Sequence, residues 1–128
     1  MKYVIIVNNS PLSGQASLSA YHFANAALQK GHQLLSIFFY QEGAYHGSCN
    51  TVLQQDETDI GQLWANFADQ QQQIMHICSA AALRRGIIDQ AAAKQFTLPK
   101  SMHTHYQSIS LNQFLTLAQT ADRMISFA

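Results

Sequence analysis

Apolar residues recur along this chain in two rhythms. Tyr3-Val4-Ile5-Ile6-Val7 is continuously apolar and mostly β-branched. A strand covered on both faces reads that way. Asn8 to Gly14, with Pro11 inside it, reads as a loop. Ala16, Ala20, Phe23, Ala24, Ala27 and Leu28 then return at helical spacing, and Gly31 suits the residue just past a helix end. Leu34 to Phe39 is a second apolar strand. Strand, helix and strand in this order predict a βαβ unit with parallel strands.

Tyr40 to Thr58 has no period, carries Gly43 and Gly47, and reads as a long loop. Ile60 to Ala68 is predicted as a helix built around Leu63, Trp64 and Phe67. Ile74 to Ile77 reads as a third strand, with Cys78 where it ends. Ser79 to Arg85 is an alanine-rich helix stopped by Gly86, and Asp89 caps a further turn or two to Gln95. Phe96 to His105 is irregular, and Tyr106 to Ile109 fits a fourth strand. Ser110-Leu111-Asn112-Gln113 matches a capping box, with Phe114, Leu117, Ala118 and Ala121 continuing the helix. Asp122 to Phe127 is the fifth strand. The expectation is one α/β domain over residues 1–128, a mainly parallel sheet of about five strands flanked by helices.

Composition narrows the functional classes. The chain has 128 residues, 48% hydrophobic and only 11% charged, against a usual charged share of about 25%. Seven basic and seven acidic residues cancel, which excludes a nucleic-acid binder working through a broad basic face. A small domain with so little charge is poorly protected against self-association, which suits a permanent subunit better than a free monomer. Lys2 is followed by only five apolar residues, short of the ~7–15 of a secretory signal. No stretch approaches the ~20 apolar residues of a membrane span. Two cysteines do not make a secreted scaffold. The cytoplasm is the expected location, with both thiols reduced.

In parallel sheets, reactive groups gather at the carboxyl ends of strands. Cys78 is the strong nucleophile at such an end. A helix starting at Ser79 would set its thiol beside unpaired N–H groups and the positive end of the helix dipole, which favours thiolate. A buried cysteine acting as a small hydrophobe is the competing reading. A thiol at a strand end is expected to be partly exposed, so that replacing it costs little stability.

Arg84 lies six residues beyond Cys78, about 9 Å along a helix axis, so Arg84 and Arg85 read as charges capping the last turn. His76 shares a strand face with Cys78, but residues i and i+2 are about 6.5 Å apart. It therefore reads as a satisfied core or edge histidine and not as half of a dyad. His103 and His105 would face one way on a strand. A zinc site needs three or four protein ligands, and no third is near in sequence, so no metal is expected. No Cys-x-x-Cys, Walker or Gly-x-Gly-x-x-Gly pattern occurs, and no cofactor is expected. Cys49, between Ser48 and Asn50 in a glycine-containing loop, reads as exposed, with nothing beside it in sequence to favour thiolate.

The most specific stretch is Ile77-Cys78-Ser79-Ala80-Ala81-Ala82-Leu83-Arg84-Arg85-Gly86. Together with Phe38-Phe39-Tyr40-Gln41-Glu42-Gly43, the opening strand, Phe23-Ala24, Gly31-His32 and Asp122-Arg123, it resembles the DsrE/DsrF-like sulfur-relay family over nearly the whole chain. The resemblance implies a persulfide on Cys78, filled by a TusA-like donor and emptied by a TusE-like acceptor, for 2-thiolation of the tRNA wobble uridine. It also implies a heterohexamer with TusB-like and TusC-like subunits. Cys49 is outside the motif. Two alternatives stay open: a sulfur-oxidation relay protein of the same family, and a non-catalytic assembly subunit with an inert Cys78.

Overall fold

A computed structural model describes all residues 1–128. The elements run β1 (Lys2–Val7), α1 (Ala16–Gln29), β2 (Gln33–Phe39), a 3₁₀ helix (Gln41–Gly47), α2 (Ile60–Gln71), β3 (Met75–Cys78), α3 (Ser79–Arg84), α4 (Gln90–Phe96), β4 (Tyr106–Ile109), α5 (Leu111–Ala118) and β5 (Arg123–Phe127). The five strands form one sheet in the order β4-β3-β2-β1-β5, and every pairing is parallel. This is the single-domain α/β architecture the strand and helix rhythms predict.

The two sheet faces are covered unequally. Alternation sends Tyr3, Ile5 and Val7 to one face and Val4 and Ile6 to the other. On the first face, Tyr3 and Phe127 meet Phe23 of α1, while Phe39 meets Trp64 of α2 edge-on at 5.5 Å. On the second, α5 supplies the cover, with Phe114 stacked on Phe38 at 3.9 Å. Leu111 and Leu115 of α5 and Met124 of β5 remain 44%, 47% and 53% exposed. The buried core runs through β1, β2, α1 and α2 and includes Cys78.

Several local expectations are refined. The segment expected as a loop from Tyr40 onward opens with a 3₁₀ helix over Gln41–Gly47. Cys78 is the last residue of β3, not the first after it, because it pairs with Ile109 of β4. The last helix stops at Ala118, short of Ala121, where the Thr120 hydroxyl donates to the Leu117 carbonyl at 2.9 Å. The capping box at its start is present in both bonds, Gln113 N–H to Ser110 Oγ at 3.1 Å and Ser110 N–H to Gln113 Oε1 at 2.8 Å. Asp89 caps α4 by accepting from Ala92 N–H at 2.9 Å.

Candidate functional site

Cys78 stands at the junction of β3 and α3. Met75 and Ile77 are fully buried and anchor β3 on one face, so His76 and Cys78 point to the other. Cys78 keeps an extended backbone (φ −65°, ψ 120°) and is the N-cap of α3, with no side chain capping the helix start. Ala81 and Ala82 are buried where α3 meets the fold. The helix ends in two bonds, Gly86 N–H to Leu83 C=O at 3.2 Å and Ile87 N–H to Ala82 C=O at 2.9 Å. This is a Schellman motif, and it needs the positive φ of Gly86, +72°. The expected stop at Gly86 is therefore real.

The expectation of a partly exposed thiol is corrected: Cys78 is 5% exposed and belongs to the hydrophobic core. Its backbone pairs with Ile109 of β4, which is itself buried. His76 is the satisfied histidine expected from its spacing. Its Nδ1 shares a hydrogen bond of 2.7 Å with Ser36 Oγ, and burial pushes its pKa below the ordinary 6.5.

The 3₁₀ helix packs against α3 and walls this end of the sheet. Arg85 is the bridge. Its Nη2 donates to Glu42 Oε1 at 2.7 Å, its Nη1 donates to the Ala81 carbonyl at 3.1 Å, and its guanidinium lies 5.8 Å from the Tyr45 ring centre. Arg85 thus caps a carbonyl of the last turn, as its position in sequence suggests. Arg84 is exposed and makes no hydrogen bond or ion pair.

Beneath the 3₁₀ helix lies a polar network that sequence reasoning missed. Trp64 Nε1–H donates to Ser17 Oγ at 3.0 Å. The Ser17 hydroxyl donates to His46 Nε2 at 2.7 Å, and His46 Nδ1–H donates to the Gly43 carbonyl at 2.7 Å. His46 is buried, and desolvation lowers its pKa to about 4, outweighing the opposing hydrogen bond to Gly43. It is a neutral imidazole that uses both nitrogens. Gly43 N–H in turn donates to the Asn8 and Tyr40 carbonyls at 3.1 and 2.9 Å. A Cβ on Gly43 would lie 2.0 Å from the Val7 carbonyl oxygen, so glycine alone allows this approach. The two glycines flanking His46 were the available signal, since they mark a backbone in close contact.

The remaining candidates lie elsewhere. Cys49 is exposed, as expected, and its thiol is 4.0 Å from Asn50 Oδ1. It borders a cleft of about 270 Å³ with Tyr45, His46 and His103, which Cys78 does not line. His103 and His105 precede β4, in the segment expected to be irregular, and do not share a strand. Their ring centres are 6.3 Å apart, and His105 Nε2 bonds Asp69 Oδ1 at 3.0 Å. No group of three or more His, Cys, Asp or Glu side chains gathers to hold a metal.

A parallel sheet bringing one covered cysteine to a strand end, with a short alanine helix behind it, defines the class. The model of the DsrE/DsrF-like family matches residues 1–127, and the chain belongs to that family. It is similar to the putative sulfurtransferase DsrE of Allochromatium vinosum, 38% identical across 99% of this chain and 98% of that protein. It is also similar to the sulfurtransferase TusD of Salmonella typhi, at 37% identity over 99% of this chain and 100% of the relative. The TusD homolog of Vibrio vulnificus is 35% identical over 99% of this chain and 98% of its own length. Its class of activity is that of a sulfurtransferase. The crystal structure of the ychN protein from E. coli shares the fold, with a TM-score of 0.75 and 18% identity over 99% of this chain and 100% of that one.

Proposed function

We propose that the protein relays sulfane sulfur through a persulfide on Cys78. A TusA-like donor loads it, a TusE-like acceptor unloads it, and the sulfur goes to the 2-position of the tRNA wobble uridine. The observation that carries this reading is the position of Cys78 at the β3–α3 junction, the one thiol held between a strand and a helix. The names of the full-length relatives support the chemistry.

Each transfer is a displacement at sulfur, of the kind seen in thiol–disulfide exchange. The Cys78 thiolate attacks the terminal sulfur of the donor persulfide. A sulfur–sulfur bond forms on Cys78, the donor's bond breaks, and the donor leaves as thiolate. The acceptor thiolate then attacks the outer sulfur, and Cys78 departs as thiolate. There is no net oxidation, and no second cysteine of this chain takes part. Because Cys78 is covered at rest, transfer begins with a movement that uncovers it. The reading includes a heterohexamer with TusB-like and TusC-like subunits, working in the cytoplasm. The half-open second sheet face and its exposed Leu111, Leu115 and Met124 support a partner-covered surface.

The test is intact mass after incubation with a persulfidated TusA-like donor. The wild-type chain should gain about 32 Da, one sulfur atom on the thiol, and Cys78→Ser should gain nothing. A serine variant that folds and still takes up sulfur overturns the proposal. A wild-type chain that takes up none favours an assembly subunit with an inert Cys78. The 38% identity to a DsrE protein favours a second reading, a sulfur-oxidation relay with the same cysteine and other partners. Loss of tRNA 2-thiouridine on deletion separates the first reading from the second.

A further inference from the structure

We infer that Arg85 is a positioning residue for Cys78, aiming the thiol by locking α3 to the 3₁₀ helix; this rests on the relay role of Cys78. The two residues occupy opposite ends of one short helix, Cys78 as N-cap and Arg85 as C-cap. Arg85 lies seven positions beyond Cys78, about 10 Å along a helix axis, so Arg85 does not touch the thiol. It acts through the helix.

That helix has little side-chain grip of its own. It is six residues long, and its buried residues are Ala81 and Ala82. A methyl group fills space but does not resist sliding or rotation as a large side chain does. Ser101 Oγ holds the Gly86 carbonyl at 2.9 Å just past the helix end, and the side-chain tie to the 3₁₀ helix comes from Arg85, whose planar fork makes two bonds in different directions. One goes to the Ala81 carbonyl of α3 itself and one to the Glu42 carboxylate of the 3₁₀ helix. The Arg85 side chain is 19% exposed while the Glu42 side chain is 57% exposed, so the guanidinium is the covered half of the pair and solvent screens the carboxylate. The Tyr45 ring adds a third contact from the same 3₁₀ helix.

The 3₁₀ helix is itself fastened to the core. Gly43 is held by the Asn8 and Tyr40 carbonyls, and His46 by Ser17, which Trp64 holds in turn. A continuous run of bonds therefore leads from α2 through α1 and the 3₁₀ helix to the helix that starts at Cys78. Lysine could keep the ion pair with Glu42. It could not also cap Ala81 with a rigid fork.

The test uses the full chain and two readouts. The first is alkylation of Cys78 by iodoacetamide in the folded protein, with the exposed Cys49 as internal reference. The second is sulfur uptake from the donor. Arg85→Ala should loosen α3, so that Cys78 alkylates at least about fivefold faster relative to Cys49 through local opening. Sulfur uptake should fall by about tenfold or more, since transfer between two proteins depends on orientation. Faster reaction with a small reagent and slower reaction with the donor is a split that lost stability alone does not produce well below the melting temperature. Arg85→Lys should fall between the alanine variant and wild type, and Arg84→Ala should resemble wild type. An unchanged alkylation ratio or undiminished sulfur uptake in folded Arg85→Ala overturns the assignment. If that variant does not fold, Glu42→Gln, which keeps Arg85, is judged by the same two outcomes. Alkylation needs no donor, so it still reports on Arg85 if Cys78→Ser takes up sulfur and the relay reading fails.

Discussion

Cys49 and Cys78 sit in opposite surroundings. Cys49 is exposed on the segment after the 3₁₀ helix, and its thiol has one sulfur–oxygen contact, 4.0 Å from Asn50 Oδ1. Cys78 is covered, paired with Ile109 in the ladder and fused to the start of α3. The more accessible thiol is held through its backbone, by Cys49 N–H to the Ser101 carbonyl at 2.9 Å and by the bridge of Ser48 with Met102. The covered thiol sits where strand and helix join, at the start of the helix that Arg85 ties to the 3₁₀ helix. Exposure and the proposed chemical role thus separate here. For the relay role proposed for Cys78, its cover at rest would guard the sulfur against stray oxidation.

Sulfur transfer breaks or sharpens the contrast most strongly. Cys78→Ser should abolish sulfur uptake, because a hydroxyl does not ionise near neutral pH and forms no persulfide. Cys49→Ser should keep uptake within about twofold of wild type, as expected for an exposed substitution away from the mechanism. Intact mass and a single-turnover uptake assay check both. A large loss in Cys49→Ser would mean a two-cysteine route and would collapse the distinction.

Next in size is the frame around Cys78. Gly43→Ala forces a Cβ to 2.0 Å from the Val7 carbonyl oxygen, so the 3₁₀ helix must move. A backbone clash of this kind should cost about 3 kcal/mol or more, read by denaturant midpoint. The Cys49 segment has no comparable contact, and Asn50→Ala should stay within about 0.5 kcal/mol of wild type.

The His46 network adds a pH dependence. Its pKa is lowered from 6.5 to about 4 by burial. Between these values the unfolded chain binds a proton that the folded chain does not, so stability is full above 6.5 and falls as pH drops toward 4. The loss should be about 2 kcal/mol at pH 5 and about 3 kcal/mol once complete. His76, also lowered by burial, acts in the same direction. Denaturant midpoints from pH 7 to 4.5 check this, and His46→Gln should flatten the slope. A wild-type midpoint unchanged over that range would remove the network as a stabilising frame.

The smallest effect compares the two serine variants in stability. Cys78→Ser buries a hydroxyl in the core and should cost about 1–2 kcal/mol, more than a partly exposed thiol would. Cys49→Ser should cost under about 0.5 kcal/mol. Equal costs would mean that Cys78 is as loosely held as Cys49.

Much of this arrangement follows from local chemistry and was legible in the residues alone. A β-branched run such as Tyr3 to Val7 makes a covered strand wherever it packs. Asp89 and Ser110 cap helices by reaching N–H groups three residues away, and Gly86 ends α3 because its own φ can be positive. Cys78 at the end of the third apolar run is of this kind. The burial of Cys78 is not, because it depends on a core cluster assembled from strands and helices far apart in sequence. The 3₁₀ helix at Gln41–Gly47 was also hidden, since its anchors are remote. Ser17 lies 29 residues from His46, Ser17 and Trp64 are 47 apart, and Arg85 reaches back 43 residues to Glu42. The sequence by itself therefore determined the elements, their caps and the cysteine at the strand end, all set within a few residues of chain. The tertiary structure alone decided that the thiol is covered and that one arginine ties its helix to the core, because those bonds join residues that only folding brings together.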